Sequence, residues 1–222
     1  MIRYLFAGEI QLAIMALLSG VFFVVCVAPL HEFAHAKVAD MLGDTTARHN
    51  GRLTLNPIAH IDPIGGLMIL LFGFGYAKAV PVNMRNFRNP KRDMALTALA
   101  GPAVNLVIAF IFVILSRAVQ YVSVLSPELR MTIAMFLGFV IEINIALAVF
   151  NMLPIPPLDG SRILSAFLPD RTYYKLMQYE RYFFIGLMVL VAFGGFNVIG
   201  NVIFAISDYI YMAFDFVVSL VF

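Results

Sequence analysis

Residues 10–35 read IQLAIMALLSGVFFVVCVAPLHEFAH, and they indicate the fold class. Its first part, Ile10–Leu30, carries no charged side chain and is as long as the roughly 20 apolar residues that a helix needs to cross a bilayer. The run is longer than the apolar core of a signal peptide and has no small-residue cleavage site, so we expect it to be retained. We predict a membrane-spanning helix that continues to Met41, where Gly43-Asp44 ends it.

The composition of the whole chain agrees with this first stretch. Of 222 residues, 62% are apolar and only 13% are charged, and the mean hydropathy is +0.91. A soluble domain usually has about 25% charged residues. The composition therefore excludes a soluble enzyme, a disordered tail and a nucleic-acid-binding protein. The single cysteine, Cys26, excludes a disulfide within the chain.

Further apolar segments follow, bounded by proline, glycine and charged residues. They are Met94–Leu115, Met131–Leu153 and two C-terminal helices around 182–199 and 201–222, which we expect Gly194-Gly195 and Gly200 to separate. Ile64–Ala77 has only 14 residues, which is short for a span, and we interpret it as re-entrant, with a true span as the alternative. The next residues, Ala79–Val82, have the pattern of a short extended segment. The sequence thus predicts an all-α polytopic membrane protein with five or six transmembrane helices and a short membrane-embedded re-entrant/β segment near 64–82.

The basic residues indicate how the chain is oriented. Twelve of the 15 lie in three segments, which follow the first span, precede the Met94 span and follow the Met131 span. They are Lys37, Arg48, Arg52, Lys78, Arg85, Arg88, Lys91, Arg92, Arg162, Arg171, Lys175 and Arg181. By the positive-inside rule, all three segments lie in the cytoplasm.

His31-Glu32-Phe33-Ala34-His35 is the motif that points to chemistry. On a helix, residues four apart share one face, so both imidazoles can reach one metal ion. Glu32 is offset by about 100° and can reach a metal-activated water instead of the metal. The alternative is a helix end whose polar residues lie at the membrane interface. The position directly after a long apolar run favours the metal site, because ionisable groups are costly there.

A hydrolytic zinc site needs a third protein ligand and an open position for water. On the residues alone, the candidates are His49, His60, Asp62 and Asp159. The predicted topology brings Asp159 to the same membrane depth as the two histidines of HEFAH. A turn residue before Gly160 is the alternative for Asp159.

Three motifs together resemble the site-2 protease family of intramembrane zinc metalloproteases. They are HEFAH, the sequence AGPAVN at 100–105 and the sequence NMLPIPPLDG at 151–160, in the family's order. The resemblance implies one Zn²⁺ per chain, bound by His31, His35 and Asp159, with Glu32 as the general base. It also implies the compact form of the family, because the chain has no insertion long enough for a PDZ or CBS module. We expect one membrane-embedded metalloprotease domain over 1–222, with a core of about 10–165 and C-terminal helices at about 182–222.

Three asparagines are further candidates. Asn151 falls where the family places an asparagine that orients the substrate or stabilises the oxyanion, and a helix C-cap is the alternative role. Asn144 lies seven residues earlier on the same helical face. We expect Asn105 to pack against a neighbouring helix through hydrogen bonds.

Three other polar residues have two interpretations each. His60 and Asp62 lie in LNPIAHIDP at 55–63, which resembles a segment of the compact family members. They either form turns and caps or orient a metal ligand from outside the coordination sphere. Glu142 lies within an apolar span, where it either lines a water path or pairs with a neighbour.

These features predict the function. We expect a multi-pass protein of the cell membrane whose active site opens to the cytoplasm and which hydrolyses peptide bonds of transmembrane protein substrates. Its partners are then the substrate and the lipid bilayer, with no nucleic acid, and the oligomeric state stays open. Tyr76–Val82 is the candidate for holding an extended substrate through main-chain hydrogen bonds. The alternative function is a non-proteolytic membrane metal-binding or transport protein.

Overall fold

The computed structural model describes residues 1–72, 75–192 and 196–222. Its helices are numbered in chain order. They are α1 (Ile2–Phe6), α2 (Ile10–Met41), α3 (Thr46–His49), α4 (Pro57–His60), α5 (Pro63–Phe72), α6 (Pro90–Val119), α7 (Pro127–Asn151), α8 (Asp159–Ile163), α9 (Asp170–Gln178), α10 (Glu180–Ala192) and α11 (Phe196–Ser219). Short 3₁₀ turns lie at Met84–Asn86 and Leu164–Ala166.

Four of the helices in the described part of the chain are long and apolar enough to cross a membrane. They are α2, α6, α7 and the Ile199–Ser219 portion of α11. The all-α polytopic fold is therefore confirmed. The first span runs on to Met41 as predicted, and Gly43 follows it in a left-handed conformation with φ of 111°. Within α2, residues Phe23–Val27 form a π-helical turn just before HEFAH.

Helices α6 and α7 begin at prolines, which suit the first helical turn because their missing N–H needs no partner there. The side chain of Ser126 caps α7 by accepting a hydrogen bond from the Leu129 amide. Helix α7 ends at Asn151, shortly before Pro154. The two spans are therefore delimited by local sequence signals.

Helix α6 is at the centre of the bundle, where it packs along α7 and the second half of α2. One core cluster joins α6, α7 and α11, and includes Val113, Ile145 and Ile203. A second cluster joins α2 and α6 around Val27 and Ile108. Gly101 of α6 lies directly against His31 and His35 of α2, because it has no side chain that would hold the two helices apart.

The segment at 64–82 agrees with the prediction only in part. Helix α5 has ten residues, about 15 Å in length, and is too short to cross a hydrocarbon core of about 30 Å. Residues 75–83 form no strand. Their amides bond elsewhere: Lys78 donates to the His60 carbonyl at 2.9 Å, and Val80 donates to Glu32. With no neighbouring strand in the described chain to accept these bonds, the β element does not form.

The C-terminal third contains two helices, as predicted, but their boundary differs. Helix α11 already begins at Phe196, so Gly200 lies inside it and the predicted break there is wrong. A glycine is tolerated in a membrane helix because no water competes there for the backbone hydrogen bonds. Gly194-Gly195 lies outside the described residues.

Candidate metal centre

The two histidines of HEFAH lie on the face of α2 that meets α6. The Nε2 atoms of His31 and His35 are 3.0 Å apart, and both side chains are buried. The spacing of four residues places one ring above the other along the helix. Their metal-binding nitrogens thus converge.

Asp159, the first residue of α8, completes the group. Its Oδ2 atom lies 3.4 Å from the Nε2 atoms of both His31 and His35. The chain folds back here because Gly160 packs directly on the carbonyl oxygens of Met152 and Leu153, at the end of α7. Packing of α8 against α6 then brings the carboxylate to the histidines.

The three donor atoms fit a zinc ion. Zinc–ligand bonds of 2.0–2.2 Å in a tetrahedron place neighbouring ligand atoms about 3.3–3.6 Å apart. The observed separations of 3.0, 3.4 and 3.4 Å lie close to that range. This is the one group of three metal-binding side chains within 4.8 Å of one another that the described residues contain. Three protein donors leave a fourth position open for water.

The outer nitrogens of the two imidazoles are held by α6. The His31 Nδ1–H donates to Asn105 Oδ1 at 3.3 Å, and the His35 Nδ1–H donates to the Thr97 carbonyl oxygen at 2.7 Å. These bonds orient both rings and leave each Nε2 free to bind a metal. The bond from His31 to Asn105 joins α2 to α6. The sequence does not predict the contact with Thr97, because Thr97 contributes only its backbone carbonyl, which every residue type has.

Gly101 makes the approach of α6 possible. A Cβ atom at this position would lie 2.6 Å from His31 Nε2, well inside contact distance. The motif AGPAVN thus supplies both the close approach and, through Asn105, a hydrogen bond to a histidine.

Glu32 is buried beside the group and is held from the other side. Its Oε2 atom accepts a hydrogen bond of 2.9 Å from the Val80 amide. Within the described chain, Oε1 has no hydrogen-bond partner. One oxygen is therefore anchored and the other is available.

The remaining histidine and aspartate candidates lie outside the group. His49 is exposed and donates from Nδ1 to the Thr45 carbonyl oxygen. His60 is 1% exposed and donates from Nε2 to the Thr54 carbonyl oxygen at 2.8 Å. Asp62 caps α5 by accepting from the Ile64 and Gly65 amides. None of the three belongs to the His31–His35–Asp159 group. His60 also contacts Arg52 and the Lys78 amide, which lie next to the segment that binds Glu32.

The polar residues of α7 form no hydrogen bond with His31, His35 or Asp159 within the described chain. Asn144 is buried and donates to the Val140 carbonyl oxygen of its own helix at 2.8 Å. Asn151 is the last residue of α7, eight residues before Asp159. Glu142 is exposed on the outer surface of α7, close enough to Asp208 of α11 for their charges to interact. Asp215 pairs with Arg117 at 2.7 Å near the other end of the bundle.

Comparison with known proteins identifies the family of the chain. The sequence model of peptidase family M50 matches residues 117–193. The chain is 44% identical to "Putative zinc metalloprotease YwhC" of Bacillus subtilis over 162 residues, which are 72% of this chain and 74% of that protein. It is 34% identical to "Putative zinc metalloprotease Rip2" of Mycolicibacterium smegmatis, over 73% of this chain and 62% of the relative.

A further relative, "Putative zinc metalloprotease MJ0611" of Methanocaldococcus jannaschii, is 32% identical over 61% of this chain and 63% of its own length. No solved structure is significantly similar to the chain. The names of the relatives give the transport alternative no support. The resemblance that the three motifs indicated is confirmed: the chain belongs to peptidase family M50, the site-2 proteases, and is a zinc metalloprotease of the membrane.

Proposed function

We propose that the protein hydrolyses peptide bonds of transmembrane proteins near the cytoplasmic face of the membrane, with Glu32 as the general base. The observation that carries this proposal is the convergence of three donor atoms, from His31, His35 and Asp159, beside a buried glutamate that is not one of them. In our proposal, these three residues hold the zinc ion. Zinc bound there supplies Lewis acidity, which lowers the pKa of a water molecule to about 7 and polarises the substrate carbonyl.

The residues of the chain then have distinct tasks. Glu32 takes a proton from the attacking water on Oε1, while the Val80 amide holds Oε2. The same carboxyl group later gives this proton to the nitrogen of the leaving amine. Asn105 and the Thr97 carbonyl keep the imidazoles of His31 and His35 in place.

Asn151 is the candidate for binding the carbonyl oxygen of the substrate as negative charge develops on it. An amide N–H can serve this purpose. Asn151 lies at the end of α7, where the chain turns back to Asp159.

The charges support a cytoplasmic site. Asp159 follows the end of α7, and the histidines lie toward the end of α2, at the side of the bundle where α6 begins. Most basic residues of the chain lie in the segments on this side. Such segments stay in the cytoplasm during insertion.

The test compares cells that produce the wild type with cells that produce Glu32→Gln. A glutamine fills the same space but cannot take the proton. We expect both purified proteins to contain one zinc per chain by elemental analysis. We expect membrane proteins cut within or next to a transmembrane segment, detected by mass spectrometry of new termini, in the wild-type cells alone. The exposed Glu9→Gln serves as the matched control and should cleave like the wild type. Equal cleavage by Glu32→Gln would refute the assignment of the base.

A further inference from the structure

A buried arginine near Glu32 has no direct role in the hydrolysis proposed for this protein. Arg52 follows α3 and is only 8% exposed. It forms no ion pair with an acidic side chain in the described part of the chain, and its Nε is buried without a hydrogen-bond partner. An unpaired buried charge lowers the stability of a fold. We therefore expect Arg52 to have a role other than stabilising the fold.

The guanidinium group of Arg52 holds the segment that contacts Glu32. Its terminal nitrogen donates to the Lys78 carbonyl oxygen, and the same nitrogen lies 3.4 Å from His60 Nδ1. His60 in turn accepts the Lys78 amide on its own carbonyl oxygen at 2.9 Å. The peptide groups on both sides of Lys78 are thus fixed by Arg52 and His60.

The Lys78 carbonyl and the Val80 amide belong to two consecutive peptide planes. Peptide planes are rigid, so only the two backbone dihedrals of Ala79 separate the group that Arg52 holds from the group that Glu32 accepts. A shift of the first plane is passed to the second through one Cα atom. The bond from Arg52 to the Lys78 carbonyl thus lies one peptide plane away from the Val80 N–H that Glu32 accepts.

We propose that Arg52 is a positioning residue for Glu32, acting through the Lys78 carbonyl and the Val80 amide without touching the carboxylate. This rests on the proposed role of Glu32 as base. Anchoring Oε2 fixes the carboxylate so that Oε1 faces the attacking water, and misplacement of a reacting group by about 1 Å costs about 100-fold in rate.

The first experiment measures the Val80 contact directly. Hydrogen–deuterium exchange of the peptide that contains Val80 is followed in detergent for the wild type, Arg52→Gln and Arg48→Gln. Arg48 is a matched control because it lies four residues earlier, is exposed, and pairs with Asp40 instead of this segment. We expect exchange to be at least about tenfold faster in Arg52→Gln and unchanged in Arg48→Gln. Unchanged exchange in Arg52→Gln overturns the proposal independently of whether Glu32 is the general base.

The second experiment measures turnover on a membrane protein that the wild type cleaves and Glu32→Gln does not. We expect Arg52→Gln to keep one zinc per chain and its KM within twofold, and to lose about 100-fold in kcat. Arg52→Lys keeps one donor for the Lys78 carbonyl and should recover at least tenfold of this loss. A purely structural role predicts loss of zinc or of folded protein instead of a selective loss of kcat.

A double-mutant cycle tests the route through Val80. Val80→Pro removes the N–H that Glu32 accepts, whereas Val80→Ala keeps the N–H and removes only the buried side chain. If Arg52 acts through this amide, Arg52→Gln combined with Val80→Pro loses no more activity than the more damaging single variant. Losses that multiply overturn the proposal. Should Arg52→Gln not fold, Arg52→Lys replaces it in the same cycle with the same two outcomes.

Discussion

Gly101 shows how much of the centre depends on a residue that has no side chain. It lets α6 approach α2 until the backbone meets both imidazoles. The same close approach brings Asn105 and the Thr97 carbonyl to the outer nitrogens of the rings. One position on α6 thus affects the orientation of both histidines.

We predict that Gly101→Ala removes zinc. The added Cβ would lie 2.6 Å from His31 Nε2, so the rings or α6 must shift and the donor atoms separate. Elemental analysis should show a zinc content well below one per chain, with cleavage activity lost in parallel. Gly138→Ala on α7 is the control, because a Cβ there meets no atom within 4 Å. Full zinc occupancy in Gly101→Ala would contradict the close packing.

At the scale of residues, the sequence predicts which side chains form the metal centre but not which backbone groups contact them. The spacing of HEFAH was enough to place His31 and His35 on one face, because helical periodicity is a local property. Asp159 could be proposed as their partner only through topology and the family resemblance. The Thr97 carbonyl and the Val80 amide have no signature in the sequence, since every residue type carries these groups.

At the scale of elements, one carboxylate, that of Asp44, holds the C-terminal end of the segment from Tyr76 to Asn86. Asp44 is 0% exposed and accepts hydrogen bonds from the Asn83 amide and the Asn86 side chain, both at 2.7 Å. It also accepts the amide and the hydroxyl of Thr46. This aspartate ties the segment to the end of α2.

We predict a pH-dependent contribution of Asp44 to stability. Burial opposes its ionisation, but the hydrogen bonds from Thr46, Asn83 and Asn86 outweigh this effect and lower the pKa of the carboxyl below its ordinary value. Ionised Asp44 therefore stabilises the fold above its unfolded pKa of about 3.9, and this contribution is lost as the pH falls through the lower pKa of the folded state.

Melting curves of Asp44→Asn in detergent provide the measurement. At pH 7 we expect a loss of about 2 kcal/mol, the usual worth of hydrogen bonds to a charged group, and a lower melting temperature. The gap to the wild type should narrow as the pH is lowered from about 5 to about 3. Glu9→Gln, which alters an exposed carboxylate, should show neither effect. A constant gap across this range would mean that the charge of Asp44 does not matter.

The same segment shows where element prediction from sequence fails. Ala79–Val82 has residues that suit an extended chain, yet strand formation needs a neighbouring strand, and that is a property of the tertiary structure. Here the amides of Lys78 and Val80 are used by His60 and Glu32. The proposed role of Tyr76–Val82 in holding an extended substrate stays a prediction.

For the whole molecule, the orientation of the bundle decides which compartment supplies the water for hydrolysis. Apolar length alone was sufficient to predict the spans of α2, α6 and α7, since a bilayer allows few backbone solutions other than helices. Apolar length did not predict where one helix ends and the next begins in the C-terminal third. Glycine is a weak indicator of a helix end there, since Gly200 lies inside α11. The side of the membrane on which the centre lies is a prediction from the basic residues alone, and labelling can test it.

We predict that the loop before α6 is cytoplasmic and the loop between α6 and α7 is external. Cys26 is the single native cysteine, so Cys26→Ala gives a background free of thiols. Arg88→Cys and Val124→Cys, both at exposed positions, are then added separately. A membrane-impermeant maleimide given to intact cells should label the Val124→Cys variant alone, and permeabilised cells should label both. Labelling of Arg88→Cys in intact cells would place the centre on the opposite side.

The π-helical turn at Phe23–Val27 has a consequence for the two histidines that follow it. A π turn holds one more residue than an α turn, and one residue corresponds to a rotation of about 100° around the helix axis. The angular phase of HEFAH is therefore set upstream, in the apolar half of α2. The same sequence wound as a continuous α-helix, with no residue removed, would rotate His31 and His35 by about 100° away from α6. The direction of the reactive face thus depends on the one extra residue that this turn absorbs. A one-residue deletion within Phe23–Val27 that restores an α turn should keep both histidines facing α6, whereas a one-residue insertion there should rotate them away.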